Sequence, residues 1–205
     1  MLMKRYLFLI LSLCFTLFAS AQNEFIVKFQ GAKPGIADFI SAYLQPTYGE
    51  DGEETIDEFV NGLRNAWKRH RAGKPQHEGV TFVLDAKNGF ACYESRYTEE
   101  GIDHLFRIEM CFWNCADQKH KLFACSTWSY ANGLPAMGQY DGIVFFQYNN
   151  ATHKMKFVSP PGFKEEYDNV SYSLPRTGRD IIVNDWRSGT HKTHILKFNG
   201  TTFSK

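Results

Sequence analysis

The sequence lacks an excess of charge of either sign. Its 205 residues include 23 Lys and Arg against 22 Asp and Glu. Two of the basic residues, Lys4 and Arg5, lie within the first 21 residues, so the rest of the chain carries one more acidic than basic side chain. Binding to the phosphate backbone of nucleic acids depends on clustered positive charge. We therefore expect no nucleic-acid partner.

Familiar catalytic and cofactor-binding motifs are also missing. The chain has no G-x-S-x-G, S-x-x-K, H-E-x-x-H or G-x-G-x-x-G sequence and no Walker loop. Cys111 and Cys115 are spaced as C-x3-C, whereas redox exchange usually uses C-x-x-C. These absences favour a binding domain without a cofactor over an enzyme. They leave an extracellular hydrolase with an unfamiliar site as the alternative.

No apolar run is long enough to cross a membrane. The longest, residues 6–18, has about 13 residues, whereas a spanning helix needs ~20. It follows Lys4 and Arg5 and precedes Ala19-Ser20-Ala21, which has small residues where signal peptidase cleaves. We interpret residues 1–21 as a signal peptide. The protein is expected to be exported, periplasmic or secreted, with no transmembrane anchor after cleavage.

Residues 22–205 are predicted to form a single α+β domain. Its helical part, about 34–72, contains two amphipathic segments, and Thr55 and Glu58 form a capping box at the start of the second. An antiparallel β-meander is expected from about 80 to 205, because strands follow one another without helices between them. The two helices should pack on this meander, which is either a curved open sheet or a partly closed barrel. Candidate strands are 80–85, 89–97, 104–115, 121–130, 142–149, 153–159, 169–174, 180–186 and 192–198.

A weak internal repeat supports the meander. Turns near 116–120, 149–152 and 187–190 share an aromatic residue, a polar turn and then His-Lys, and residues 86–88 occupy the equivalent place one unit earlier. If the repeat is structural, these four turns lie at one end of one sheet.

Candidate ligand-binding residues come from pairing strand 89–97 with strand 104–115. Placing Tyr97 opposite His104 sets Glu94 against Arg107 and Cys92 against Glu109. The charged residues then share one face, which we predict to be exposed. On this reading Trp113 is an exposed ring on the same face, and the candidate ligand-binding residues are Trp113, Glu94, Arg107 and Glu109. A glycosidase would also use two facing carboxylates, but the neighbouring arginines favour ion pairing.

No metal site is expected. His120, His153 and His191 share a turn position, but neighbouring hairpins lie about 10 Å apart, whereas zinc needs its nitrogens at ~2.0–2.1 Å from one point.

Cys111 and Cys125 form a candidate disulfide. Matching apolar faces places Ala124 opposite Phe112 and therefore Cys125 opposite Cys111, within disulfide reach. Free thiols and a Cys92–Cys111 bridge are the alternatives.

The favoured function is an exported binding or interaction domain of the cell envelope or extracellular space. Its ligand would be a glycan, a peptide or a protein. An exposed aromatic patch would favour this hypothesis, whereas a cleft lined by converging Glu, Asp and His would favour the hydrolase.

Overall fold

The computed structural model describes residues 24–45, 58–136, 138, 141–166 and 169–205, with side chains omitted at 58 and 59. The predicted signal peptide and Thr55 of the predicted capping box lie outside these residues. The described elements are helices α1 (Ile36–Tyr43) and α2 (Glu58–Arg71) and strands β1 (Phe25–Ile26), β2 (Val80–Asp85), β3 (Phe90–Glu99), β4 (Ile102–Asn114), β5 (His120–Ala131), β6 (Leu134–Pro135), β7 (Gly142–Asn149), β8 (Lys154–Val158), β9 (Val170–Ser173), β10 (Ile181–Asp185), β11 (Lys192–Phe198) and β12 (Phe203–Ser204).

The strands form two antiparallel sheets rather than one meander. The larger has the order β1-β8-β7-β5-β4-β3-β2, with β6 added beside β5, and it is a curled open sheet. The smaller has the order β12-β11-β10-β9. The coarse prediction of a mainly antiparallel protein with two helices is confirmed, and each of the nine candidate strands is present. The prediction of a single sheet is wrong.

Helix residues contact one face of the eight-stranded sheet. The Phe39 ring of α1 lies 5.1 Å from the Phe112 ring and 5.7 Å from the Phe123 ring, measured between centroids. In α2, a Cβ at Gly62 would come within 2.6 Å of the Tyr93 hydroxyl, so glycine permits this close approach. Neither described helix is both long and apolar enough to span a membrane.

The four-stranded sheet contacts the opposite face of the larger sheet. Its apolar residues form one buried cluster with the side chains of β3, β4, β5 and β7 that point toward the small sheet. Ser126 Oγ of β5 donates a hydrogen bond of 2.6 Å to the Tyr172 carbonyl of β9. Arg176 Nε reaches Asp85 Oδ2 at 2.7 Å and links the edges of the two sheets. The face that we predicted to be exposed is therefore largely interior.

The predicted clustering of four turns is wrong. Because consecutive strands run antiparallel, the turns after β2, β4 and β7 lie at one end of the large sheet. The turn at 187–190 belongs to the small sheet and precedes β11. The other end of β11 meets the β4–β5 turn, where the Ala116 amide donates to the Gly200 carbonyl at 2.9 Å. The fourth turn thus lies at the opposite end, and the repeat is a coincidence of sequence.

Candidate functional site

The predicted charged residues meet around Arg107. The β3–β4 register is the predicted one, with Glu94 opposite Arg107 and Cys92 opposite Glu109. Arg107 Nη2 lies 3.0 Å from Glu109 Oε1, and Arg107 Nε lies 3.4 Å from Glu94 Oε1. The same Nε lies 3.3 Å from Cys92 Sγ. Three of the four predicted ligand-binding residues therefore form one ion cluster.

Glu109 is enclosed by this cluster. It is 5% exposed, and its Oε2 accepts a hydrogen bond of 2.7 Å from the Leu174 amide. Burial raises the pKa of Glu109, although Arg107 and the Leu174 amide oppose that shift. Because Arg107 and Leu174 occupy its two oxygens, Glu109 is poorly placed to exchange a proton with a ligand.

Burial also sets the state of the neighbouring thiol. It raises the pKa of Cys92, an effect that Arg107 only partly offsets. Cys92 is therefore a protonated, buried thiol rather than an activated nucleophile.

Trp113 is not the exposed ring that the sequence suggested. It is 4% exposed and packs between the sheets, with its ring centroid 5.6 Å from that of Phe198 and 6.2 Å from that of Phe203. The structure thus separates Trp113 from solvent. Its position on the predicted face is correct, but the small sheet covers that face.

The Cys111–Cys125 pairing rests on a register that is off by one residue. Cys111 lies opposite Ala124, and Cys125 lies opposite Met110. Since neighbouring residues of a strand point to opposite faces, the two cysteines face different layers. All four cysteines of the described chain are free thiols.

A cleft of about 640 Å³ opens beside the ion cluster, near the ends of β3, β4 and β5. Its lining includes Arg96, Asp103, Trp128 and Tyr130. Arg107 packs against the Trp128 ring of this lining, with its guanidinium carbon 5.0 Å from the ring centroid. Arg96 is held by Glu94 at 3.1 Å. The predicted ion cluster therefore positions residues of a cleft that sequence reasoning did not locate.

Aromatic rings extend the cleft toward the small sheet. Trp128 and Tyr130 meet edge to face at 4.9 Å, and Tyr130 meets Trp186 at 5.9 Å. Tyr97 is 52% exposed and stacks on His104 at 4.8 Å, but the strand registers place these two rings on the opposite face of the sheet. Apart from its aromatic character, the sequence around Trp128 carries no motif that would distinguish this ring from a core residue.

The described residues contain no group of three or more His, Cys, Asp or Glu side chains that could hold a metal ion. Comparison with known proteins finds no matching family model, curated protein or solved structure.

Proposed function

We propose that the protein is an exported binding domain of the cell envelope or extracellular space, with a glycan as its ligand. The observation that carries the proposal is the aromatic cleft at Trp128 and Tyr130. Aromatic ring faces pack on the apolar faces of sugars, and a few polar groups then fix orientation. Arg96 and Asp103 supply a donor and an acceptor within the same lining.

Peptide and protein ligands are alternative outcomes of the test. Peptides that add a strand need the free edge of a sheet. β2 pairs with β3 only as far as Ser95, so residues 97–99 of β3 have no β2 partner beside the cleft. An extended peptide at this edge is therefore the main competing ligand.

The Trp128 indole N–H adds a second argument. Trp128 is 7% exposed, and its Nε1 has no hydrogen-bond partner within the described ranges. A buried donor without an acceptor is energetically costly. A sugar hydroxyl at the cleft would supply an acceptor after a small movement of the ring.

The helices have a supporting role in this proposal. We infer that α1 and α2 form one layer on the face of the large sheet that carries Phe123 and Cys125. Trp128 lies on the other face, opposite Arg107 in the β4–β5 ladder. The helical layer can therefore brace the strands without closing the cleft.

The chemistry of the cleft gives little support to the hydrolase alternative. Asp103 is the one carboxylate in its described lining, and its Oδ1 accepts a hydrogen bond of 2.7 Å from Thr98 Oγ1. A glycosidase of the common type uses two carboxylates on either side of the scissile bond. Glu94 and Glu109 lie nearby but are paired with arginines.

The test is a glycan array probed with the protein recovered from its host, followed by affinity measurements on the best glycan. Tyr130→Ala removes a ring of the cleft, and we expect binding about tenfold weaker or worse. Phe157→Ala is the control, because Phe157 is an aromatic strand residue that lies outside the cleft lining. Absence of glycan binding, or wild-type affinity in Tyr130→Ala, would contradict the proposal. Binding on a peptide array alone would favour the peptide alternative.

A further inference from the structure

A second cavity lies at the other end of the large sheet, away from the aromatic cleft. It has a volume of about 460 Å³ and is formed by the β1–α1 loop, the β4–β5 turn and the β7–β8 turn. Among the described residues its lining includes Lys33, His120, Lys121 and His153, and no Asp or Glu. We call this cavity the basic pocket. An enclosed surface with cationic groups and no carboxylate is electrostatically suited to an anion.

Lys121 is the central residue of the basic pocket. It is only 5% exposed, and its Nζ donates a hydrogen bond to Asn114 Oδ1 and lies 5.0 Å from the centroid of the Phe112 ring. No carboxylate lies within ion-pair distance of it in the described chain. An ammonium group has three donors, and buried charges are normally paired. The positive charge of Lys121 is therefore not neutralised by the protein.

Burial lowers the pKa of Lys121 and the nearby Lys33 lowers it further, whereas Cys115 acts in the opposite direction. Both lysines belong to the lining of the pocket. A bound anion would relieve both effects, because it would sit between two like charges.

Carboxylates near the pocket are already engaged. Asp117 Oδ2 lies 2.6 Å from His120 Nδ1, and Asp117 Oδ1 accepts from two backbone amides of the turn. Asp38 Oδ2 accepts from the Gly35 amide at 2.8 Å. Neither aspartate belongs to the lining.

Both ring nitrogens of His120 are engaged by neighbouring side chains. Asp117 Oδ2 lies 2.6 Å from Nδ1. Asn149 Oδ1 accepts from the Ala151 amide at 2.8 Å, so the Asn149 amide nitrogen is the atom that lies 3.3 Å from His120 Nε2. Lys33 and Lys121 are therefore the two cationic side chains of the described lining that remain for an anion.

The remaining wall supplies polar groups of a different kind. The Tyr148 hydroxyl lies 3.2 Å from His153 Nδ1, and the His153 ring stacks on Phe29 at 5.1 Å. Asn150 Nδ2 donates to the Gln118 carbonyl at 2.8 Å and ties the two turns together. The pocket is thus a built structure in which three chain segments hold one another.

We propose that the basic pocket binds a tetrahedral oxyanion of charge near −2, the phosphate or sulfate group of a small molecule or the free ion. Two lysines match that charge. The cationic side chains of Lys33 and Lys121 act as point charges, and lysine is a frequent phosphate ligand. This proposal does not depend on glycan binding at the aromatic cleft.

The test is isothermal titration in chloride buffer at pH 7 with inorganic phosphate, sulfate, glycerol 3-phosphate and acetate. We expect the tetrahedral anions to bind more tightly than acetate. The anion that binds most tightly shows whether the pocket prefers a free ion or a phosphate ester. Lys121→Met should weaken this binding about 10- to 100-fold, because it removes a charge-assisted contact. Lys119→Met, in the same turn but outside the lining, is the matched control and should bind as wild type does.

Thermal unfolding separates a ligand role from a structural one. Phosphate should raise the Tm of the wild type and not that of Lys121→Met, since only the folded site binds it. Without an anion, Lys121→Met should be at least as stable as the wild type, because the substitution removes an unpaired buried charge. Equal binding of acetate, undiminished phosphate binding in Lys121→Met, or no phosphate effect on the wild type would overturn the proposal. If Lys121→Met fails to fold, Lys33→Met decides, and wild-type phosphate affinity in that variant overturns it.

Discussion

Glu109 on β4 and Lys121 on β5 are the two charged side chains buried in the described part of the chain, and each is 5% exposed. They differ in their partners. Glu109 contacts Arg107 at 3.0 Å and the Leu174 amide at 2.7 Å. Lys121 contacts the neutral Asn114 and the face of Phe112. The first charge is neutralised inside the protein, and the second is not.

This difference indicates two uses of a buried charge. A paired and hydrogen-bonded charge holds two layers in register, since Glu109 joins the large sheet to Leu174 after β9. An unpaired charge beside a cavity lowers stability unless a ligand compensates it, which is the usual cost of a preorganised site. Removing each charge should therefore have opposite effects on stability.

The largest effect is expected for Glu109→Ala. This substitution leaves Arg107 without its closest carboxylate and the Leu174 amide without an acceptor. Breaking a buried pair in this way costs about 3–5 kcal/mol. Urea unfolding monitored by tryptophan fluorescence measures the loss. Glu99→Ala, an exposed glutamate at the end of β3, should stay within about 0.5 kcal/mol of the wild type. A similar small loss for Glu109→Ala would erase the distinction between the two charges.

A smaller effect is expected at Asp85, where the sheets are linked at their edge. Hydrogen bonds from Asn88 and Arg176 lower the pKa of Asp85 to about 2. Because the folded-state pKa is depressed from 3.8, its contribution is complete above pH 4 and is lost as the pH falls toward 2. Glu109 contributes to the pH dependence of folding stability with the opposite sign. Burial raises its pKa, so the folded state holds its proton more tightly and this contribution is lost as the pH rises.

Thermal melting between pH 4 and pH 2 tests the Asp85 contribution. The wild type should lose Tm on acidification more steeply than Asp85→Asn, and Arg176→Met should flatten the slope in the same direction. Parallel slopes in the three proteins would show that the link between the sheets does not titrate.

The strands and one register were predictable from sequence because the evidence for them is local. Residues 90–99 and 102–114 are joined by a turn of two residues, which leaves little freedom in how the strands pair. Apolar side chains also alternate clearly with Glu94, Arg107 and Glu109 there. The cluster around Arg107 follows directly from that pairing.

The next register was wrong because β5 is buried on both faces. Matching apolar residues to one face assumes that the other face is polar. In β5, however, Leu122 and Ala124 pack toward the small sheet, while Phe123 and Cys125 pack toward the helices. The continuous run Leu122-Phe-Ala-Cys125 is typical of a strand covered on both sides. That signal would also have predicted the burial of Trp113.

The basic pocket was not predictable because it joins distant parts of the chain. The basic pocket brings Lys33 next to Lys121, and the β7–β8 turn completes it with Asn150 and His153. The two turns that precede His120-Lys121 and His153-Lys154 do meet there, although Lys154 is outside the lining. The burial of Lys121, however, is determined by the β4–β5 register and by the β1–α1 loop, and neither can be derived from the turn sequences.

The most direct measurement of the difference between the two buried charges is an NMR titration of the Lys121 Nζ signal, with lysine labelled by 15N. Burial and Lys33 should hold its pKa below the ordinary lysine value in chloride buffer. Saturating phosphate should raise that pKa, because the anion stabilises the ammonium form. A Lys121 pKa that is the same with and without phosphate would contradict the account.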